Sequence, residues 1–421
     1  MTGNWFARCF GAAVFLIPPV GLFIPRGIAV IFVGLAVVSV ATLISERVKS
    51  AAWPKSGTFF LFLLAAWSML SAFWSIAPEK SFLSSLSVAP TFAAGLCILV
   101  SAGKITAEQR VPVEKCMMVG VVVGALIVFI EVSFGLPISA GIDLIVTGRT
   151  RIFDSSHSIS RGMTVLALFI WPTAFVLWIR GRKLMTIALM CFVAVGLFSG
   201  DNEAAVFSMA TGVCALALAC IFPKRSPWVF GVILGVGILM APQAMLSLPD
   251  ARTMSKTIPG LGYGVYPRIF IWQSASRLIL EKPVIGHGYR SSREFSTEHD
   301  SEFVRIGPED VNRVWVEPIP LHTHNAPLQL WLELGVIGAS LGIAIILNII
   351  AYIQRSCAGT VRCAALYAAL ITGVSVASIS YGFWQGWWQS VLWIYAALCF
   401  ATVAFPGSKI TENDQTKALK S

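Results

Sequence analysis

The chain has 421 residues, 56% of them hydrophobic and 12% charged, with a mean hydropathy of +0.77. Soluble domains carry about 25% charged residues, so a soluble globular protein is excluded. The formal charge of +10 does not point to nucleic acid, because the lysines and arginines gather in short loops without interleaved aromatics.

Apolar runs predict an all-α, polytopic membrane helix bundle of about twelve transmembrane helices, at roughly 9–25, 27–44, 57–76, 82–102, 116–135, 158–179, 184–200, 204–222, 227–247, 325–353, 363–382 and 390–406. The first run is expected to be retained rather than cleaved as a signal peptide. It lacks a clear small-residue cleavage site, and only Arg26 separates it from the second. Basic residues alternate along the chain: Arg47, Lys49 and Lys55; Arg180, Arg182 and Lys183; Lys224 and Arg225; Arg355 and Arg362. The positive-inside rule puts these on the cytoplasmic side. Residues 1–247 then hold nine spans, 248–323 form one large, partly helical periplasmic loop, 324–406 hold three more spans, and 407–421 form a cytoplasmic tail. Arg149 and Arg151 are the exception, falling outside. The nine cysteines lie in spans or at their inner ends without CxxC spacing, and read as small apolar packing residues.

Ionisable residues within spans are costly, which singles out Glu131, Arg161 and Glu333. Glu131 and Arg161 read either as a structural pair or as functional groups, and Glu333 as bonding to a neighbouring span. In the outer loop, Pro259–Gly264 supplies turn residues. Helical spacing follows from Tyr266 to Glu281, with Pro267 and Arg268 in the first turn of an amphipathic, interfacial helix. Glu298–Glu302 reads as a solvated acidic stretch rather than a metal cluster.

The stretch His322-Thr-His324-Asn325-Ala-Pro327 opens span ten. Asn325 suits an N-cap and Pro327 the first helical turn, so His324 lies just outside a helix N-terminus, an end that attracts anions. Histidine there reads as a general base or as a capping interface residue. Gly338 and Gly342 read as helix packing, and the Trp-rich turn Phe383–Gln389 as a membrane-interface anchor, with sugar stacking the alternative.

His324-Asn325, nine residues, Gly335 and then Gly338 resembles the signature of the O-antigen ligase and polymerase superfamily. Arg268-Ile-Phe-Ile-Trp272 and Glu281-Lys-Pro-Val-Ile-Gly-His-Gly288 resemble its periplasmic loop. The resemblance implies a GT-C-like enzyme of the bacterial inner membrane with a periplasmic site. It would move a glycan from undecaprenyl pyrophosphate to an acceptor sugar hydroxyl, such as that of lipid A core. It further implies His324 as base, Arg268 as a pyrophosphate-binding arginine, and an inverting displacement needing neither metal nor other cofactor. Relatives commonly carry an arginine between spans seven and eight, where this chain has Ser199-Gly-Asp-Asn-Glu203. Arg161, helped by Arg149 or Arg151, is expected to replace it, with His322 and Asn325 contacting acceptor or positioning the base. An O-antigen or exopolysaccharide polymerase with the same chemistry is the alternative. A polysaccharide transporter fits less well, because polarity collects at one face and no repeat is visible.

Overall fold

A computed structural model of the chain describes residues 2–47, 54–148, 158–258, 264–295, 302–306, 312–357 and 360–404. It opens with α1 (Thr2–Phe23) and α2 (Gly27–Ser45), joined by the tight turn at Arg26. Then come α3 (Lys55–Leu70), extended by a 3-10 turn to Trp74, α4 (Pro78–Ser85), α5 (Val88–Ala102) and α6 (Ala107–Ser133). The short α7 (Pro137–Thr147) precedes α8 (Ser160–Ile179), α9 (Lys183–Ser199), α10 (Glu203–Ile221) and α11 (Ser226–Leu239). The loop region contains α12 (Ala241–Leu246), α13 (Ala251–Thr257), α14 (Val265–Glu281) and an antiparallel hairpin of β1 (Glu302–Ile306) and β2 (Asn312–Val316). The chain finishes with α15 (Ala326–Cys357), α16 (Val361–Ile379) and α17 (Gly386–Cys399).

Among the described residues, ten helices are long and apolar enough to cross a membrane. The expected seventh and ninth spans are shorter, α9 having 17 residues and α11 having 14. At 1.5 Å per residue α11 covers only about 21 Å, and α12 continues it after Met240. The sequence reading missed α7 and the hairpin; the tail 407–421 lies outside the described residues.

The centre of the bundle is α8. Every residue from Gly162 to Leu177 is buried, and the helix packs against α1, α6, α9, α10 and α16. Peripheral helices show the opposite pattern, with Val30, Val33, Val37 and Ile44 of α2 exposed, as suits a helix facing lipid. A second apolar cluster joins the outer loop to the bundle: Ala275 and Ile279 of α14 pack with Ile238, Leu328, Trp331 and Leu332.

Two sequence expectations are corrected here. Glu131 does not pair with Arg161. Fully buried at the end of α6, it accepts hydrogen bonds from the N–H groups of Ile138 (2.6 Å) and Ser139 and from the Ser139 hydroxyl, closing the N-terminus of α7. A carboxylate is favoured there by the free N–H groups and the helix dipole. Polarity is also not confined to one face, since the buried Glu114, near the other end of α6, forms an ion pair with Arg180.

The defining irregularity is a break inside α15. Gly335 has φ 66° and ψ −166°, which divides the element into a short half, Ala326 to Leu334, and a long one. A break in a membrane helix strands carbonyls that normally accept bonds from the next turn. Here the strap Pro283-Val-Ile-Gly-His-Gly288 and Trp67 of α3 supply the partners. His287 N–H donates to Leu332 O (2.8 Å), Gly288 N–H to Glu333 O (2.9 Å), and Trp67 Nε1–H to Leu334 O (3.0 Å). In return Val336 N–H donates to Pro283 O at 2.9 Å.

Gly335 is required twice over, by its positive φ and because a Cβ there would lie 2.1 Å from Val284 O. Gly338 and Gly342 do serve packing, between the two halves of α15: an added Cβ would meet Leu334 Cβ at 2.2 Å and Leu330 Cδ1 at 2.9 Å respectively. We predict that Gly335→Ala destabilises the fold by at least about 2 kcal/mol. Gly237→Ala, whose Cβ would meet nothing within 4 Å, should be neutral. Thermal melting of the two purified variants checks this, and equal melting temperatures would refute the role given to the break.

Candidate active site

The histidine segment is held from three sides. Asn325 caps α15 as expected, its Oδ1 accepting from Leu328 N–H at 2.9 Å. The buried Thr323 donates its hydroxyl to Asn325 O (2.7 Å), and its own carbonyl accepts from Trp272 Nε1–H of α14 (3.0 Å). Arg268 stands four residues before Trp272, on the same helix face, so fastening Trp272 also brings Arg268 towards the histidines.

His324 has φ 52°, a left-handed conformation uncommon outside glycine. The conformation aims its ring at the end of α16, where Nδ1 lies 2.6 Å from Ser380 O. A carbonyl only accepts, so Nδ1 carries the proton and Nε2 presents a lone pair. Burial first, and then the positive charge of Arg268, lower the His324 pKa; the bond to Ser380 opposes them. His324 is therefore neutral at pH 7 and able to take a proton through Nε2.

His322 stacks against it with ring centroids 4.2 Å apart, and Gly382 leaves room for the ring. Burial, then His324 and Arg293, push the His322 imidazole down to about 3, so it too stays neutral.

Arg268 is half-buried and its pKa is lowered, by desolvation first, with Glu203 opposing. The charge of Glu203 in the acidic loop thus acts on Arg268, without an ion pair between them. Asn202 works differently, because its Nδ2 donates to Ser160 O (2.8 Å) while its Oδ1 caps α10 through Ala205 N–H (3.1 Å). This ties the loop to the first turn of α8, where Arg161 lies 5.9 Å from the centre of the Trp387 ring. Both Arg161 and Arg268 act on the Tyr381 hydroxyl, which bonds Thr164 Oγ1 at 2.9 Å. The structure thus brings together His324, His322, Asn325, Arg268 and Arg161; Arg151 lies outside the described residues, as do Arg149 and residues 298–301.

The other wall rests on Glu333. Its carboxylate is fully buried and accepts four bonds: from Arg290 N–H (2.8 Å), Ser292 Oγ–H (2.6 Å), Gln329 Nε2–H (2.9 Å) and Trp384 Nε1–H (2.8 Å). The partners come from the strap's continuation, its own helix and the Trp-rich turn. That turn is therefore not a membrane-interface anchor: Trp384 holds Glu333, Trp387 underlies Arg161, and Trp388 is fully buried. Sequence reasoning missed Arg290, Arg293, Ser380 and Tyr381. The available signals were two arginines three residues apart directly after Gly288-Tyr289, and a polar Ser380-Tyr381-Gly382 closing an apolar helix.

Fold and site define a multi-pass helical membrane protein whose half-buried histidine pair lies among arginines at one end of the bundle. The family model described as O-antigen ligase matches residues 155–343. A Rickettsia typhi protein named "putative polysaccharide ligase RT0347" is 26% identical over 404 residues, covering 90% of this chain and 94% of its own. Proteins named "putative polysaccharide ligase" from Rickettsia felis and Rickettsia bellii are 26% and 28% identical, each covering 79% of this chain and 77% of their own. Domain match and relatives together support the O-antigen ligase superfamily, which the His-Asn motif resembles.

Two outcomes follow from the geometry. Removing the positive charge at Arg268 relieves repulsion on the His324 imidazolium, so Arg268→Gln should raise the His324 pKa towards 6.5. Imidazole NMR titration reads this directly, and an unchanged or lowered pKa would sink the electrostatic coupling. Glu333→Gln puts an NH₂ group against donors that need an acceptor, at a cost of about 1–3 kcal/mol per orphaned donor. A lower melting temperature is expected, and one equal to wild type would show that Glu333 does not organise this wall.

Proposed function

We propose that the chain is an O-antigen ligase-like glycosyltransferase acting on the periplasmic face of the bacterial inner membrane. It would transfer a glycan from undecaprenyl pyrophosphate to an acceptor sugar hydroxyl, such as one on lipid A core. The observation that carries this reading is the fixed tautomer of His324: Nδ1 tied to Ser380 O, and Nε2 free beside Arg268.

In the proposed reaction, His324 Nε2 takes the proton of the acceptor hydroxyl as its oxygen bonds to the anomeric carbon. The bond from that carbon to the pyrophosphate breaks, and its electron pair leaves with the pyrophosphate. Arg268 and Arg161 offset the growing negative charge, and the planar guanidinium fork matches phosphate oxygens better than lysine would. Attack opposite to departure inverts the anomeric centre. A metal is not required by this scheme, because the arginines supply the positive charge. The acidic loop at 199–203 takes the place of a loop arginine by ordering two others: Asn202 fixes the start of α8, and Glu203 faces Arg268.

Loss of a general base costs about 10² to 10⁴ in rate. We expect His324→Ala to lose that much transfer from a polyprenyl-pyrophosphate glycan while melting like wild type. His322→Ala should lose less. Near-normal transfer by His324→Ala would refute the base assignment.

A further inference from the structure

A second arginine pair stands on the far side of the histidines. Arg290 caps, and Arg293 lies within, a single 3-10 turn, Ser291–Glu294, with Arg293 N–H donating to Arg290 O at 3.3 Å. With His322, Gln329, Trp384 and Gln385 they line one small cleft. Nothing acidic neutralises them at ion-pair distance among the described residues. Glu294, the nearest in sequence, is paired with Lys80 at 2.9 Å, and Glu333, although its charge acts on Arg293, has its oxygens taken by four neutral donors and makes no ion pair with either arginine. Arg290 is also held at φ 58°, in the left-handed region, by the bond from its N–H to Glu333. Two like charges fixed side by side on a strained turn call for an anion.

We propose that this cleft is the acceptor subsite, and that Arg290 and Arg293 bind an anionic group, a phosphate monoester or carboxylate, on the acceptor glycan. The assignment rests on the transferase reading given above. In-line displacement puts the attacking hydroxyl and the leaving pyrophosphate on opposite sides of the anomeric carbon. Arg268 and Arg161 take the leaving side, so the acceptor enters from the His322 side, where the cleft lies. His322, neutral at pH 7, meets the acceptor as a hydrogen-bonding group and leaves the anion to the arginines.

The test is a binding cycle on the purified full-length chain, which needs no turnover. The probes are a core oligosaccharide carrying phosphate monoesters, the same oligosaccharide after phosphatase treatment, and a phosphate-free one carrying carboxylates. Wild type should bind at least one anionic probe about tenfold or more tightly than the stripped one. Arg290→Gln/Arg293→Gln should lose that preference while binding undecaprenyl pyrophosphate as wild type does. Arg293→Gln alone, at an exposed position, serves as the milder variant if the pair melts early. Whichever anionic probe shows the preference identifies the source of the charge. A wild type blind to both anions, a variant that keeps the preference, or a variant that loses pyrophosphate binding instead would each overturn the assignment. Absent transfer by a wild type that still shows the preference would count against the transferase reading and not against the anion site.

Discussion

The site depends on the Glu333 carboxylate. A carboxylate taken out of water must find hydrogen-bond donors, or its burial is prohibitive. Glu333 finds four, and they bind three separate pieces of chain into one wall: the segment after the strap, the short half of α15, and the turn before α17. Gln329 extends the network, since its Oε1 accepts from Phe383 N–H at 2.8 Å. Through these bonds the turn carrying Ser380 to Gln385 is registered against the half-helix that His324 precedes. The break at Gly335 and the buried carboxylate two residues before it therefore act as one device. The break frees the carbonyls that the strap binds, and the carboxylate fixes where the strap goes next.

The electrostatics of the histidines follow from that frame. Partial burial and a neighbouring arginine both disfavour the charged imidazole, and they lower the pKa of His322 and of His324. The same arginines would strand positive charge if no anion arrived, and the site offsets that in unequal ways. Arg268 faces Glu203, and Arg161 lies over the Trp387 ring, an arrangement that also draws on the ring's negative face. Glu333 and Glu294 act on Arg293 in the same way as Glu203 acts on Arg268, but among the described residues neither forms an ion pair with Arg290 or Arg293, so two neighbouring guanidinium groups stay unpaired.

Legibility in the sequence divided along a physical line. Helix positions, the cap at Asn325, and the helix bearing Pro267 and Arg268 were readable because local periodicity and capping chemistry specify them. His324, His322, Arg268 and Arg161 are candidates from motif and placement, and the structure puts them in one region, the two histidines stacked and both arginines acting on Tyr381. The break at Gly335 was not readable as a break. A glycine in an apolar run reads as packing until its φ is known, and the strap that rescues its neighbours lies some fifty residues earlier. Glu131 misled for a related reason: an acid and a base both placed in spans by the sequence suggest an ion pair, yet the N-terminus of an unforeseen short helix satisfied Glu131. The Trp-rich turn misled because tryptophan indoles at a helix end suit lipid headgroups equally well, and only the tertiary fold shows Trp384 donating to Glu333.

The proposed function gives Arg161, at the start of α8, the role of a donor-site cation beside the acidic segment 199–203. That role demands that α8 begin in a fixed place. Asn202 meets the demand by bonding Ser160 with one end of its amide and capping α10 with the other. Gly162 meets it from the opposite side, because only a residue without a side chain lets α8 come so close to α1: a Cβ there would lie 2.4 Å from the Leu22 backbone. Arg161 is thus held between a polar clamp and a steric one. The rigidity of α8, buried along nearly its whole length, transmits that placement to the site. A cation on a flexible loop would have to be ordered each time an anion bound. One at the head of the central helix is ordered by folding, so its contribution to binding is not reduced by that entropy.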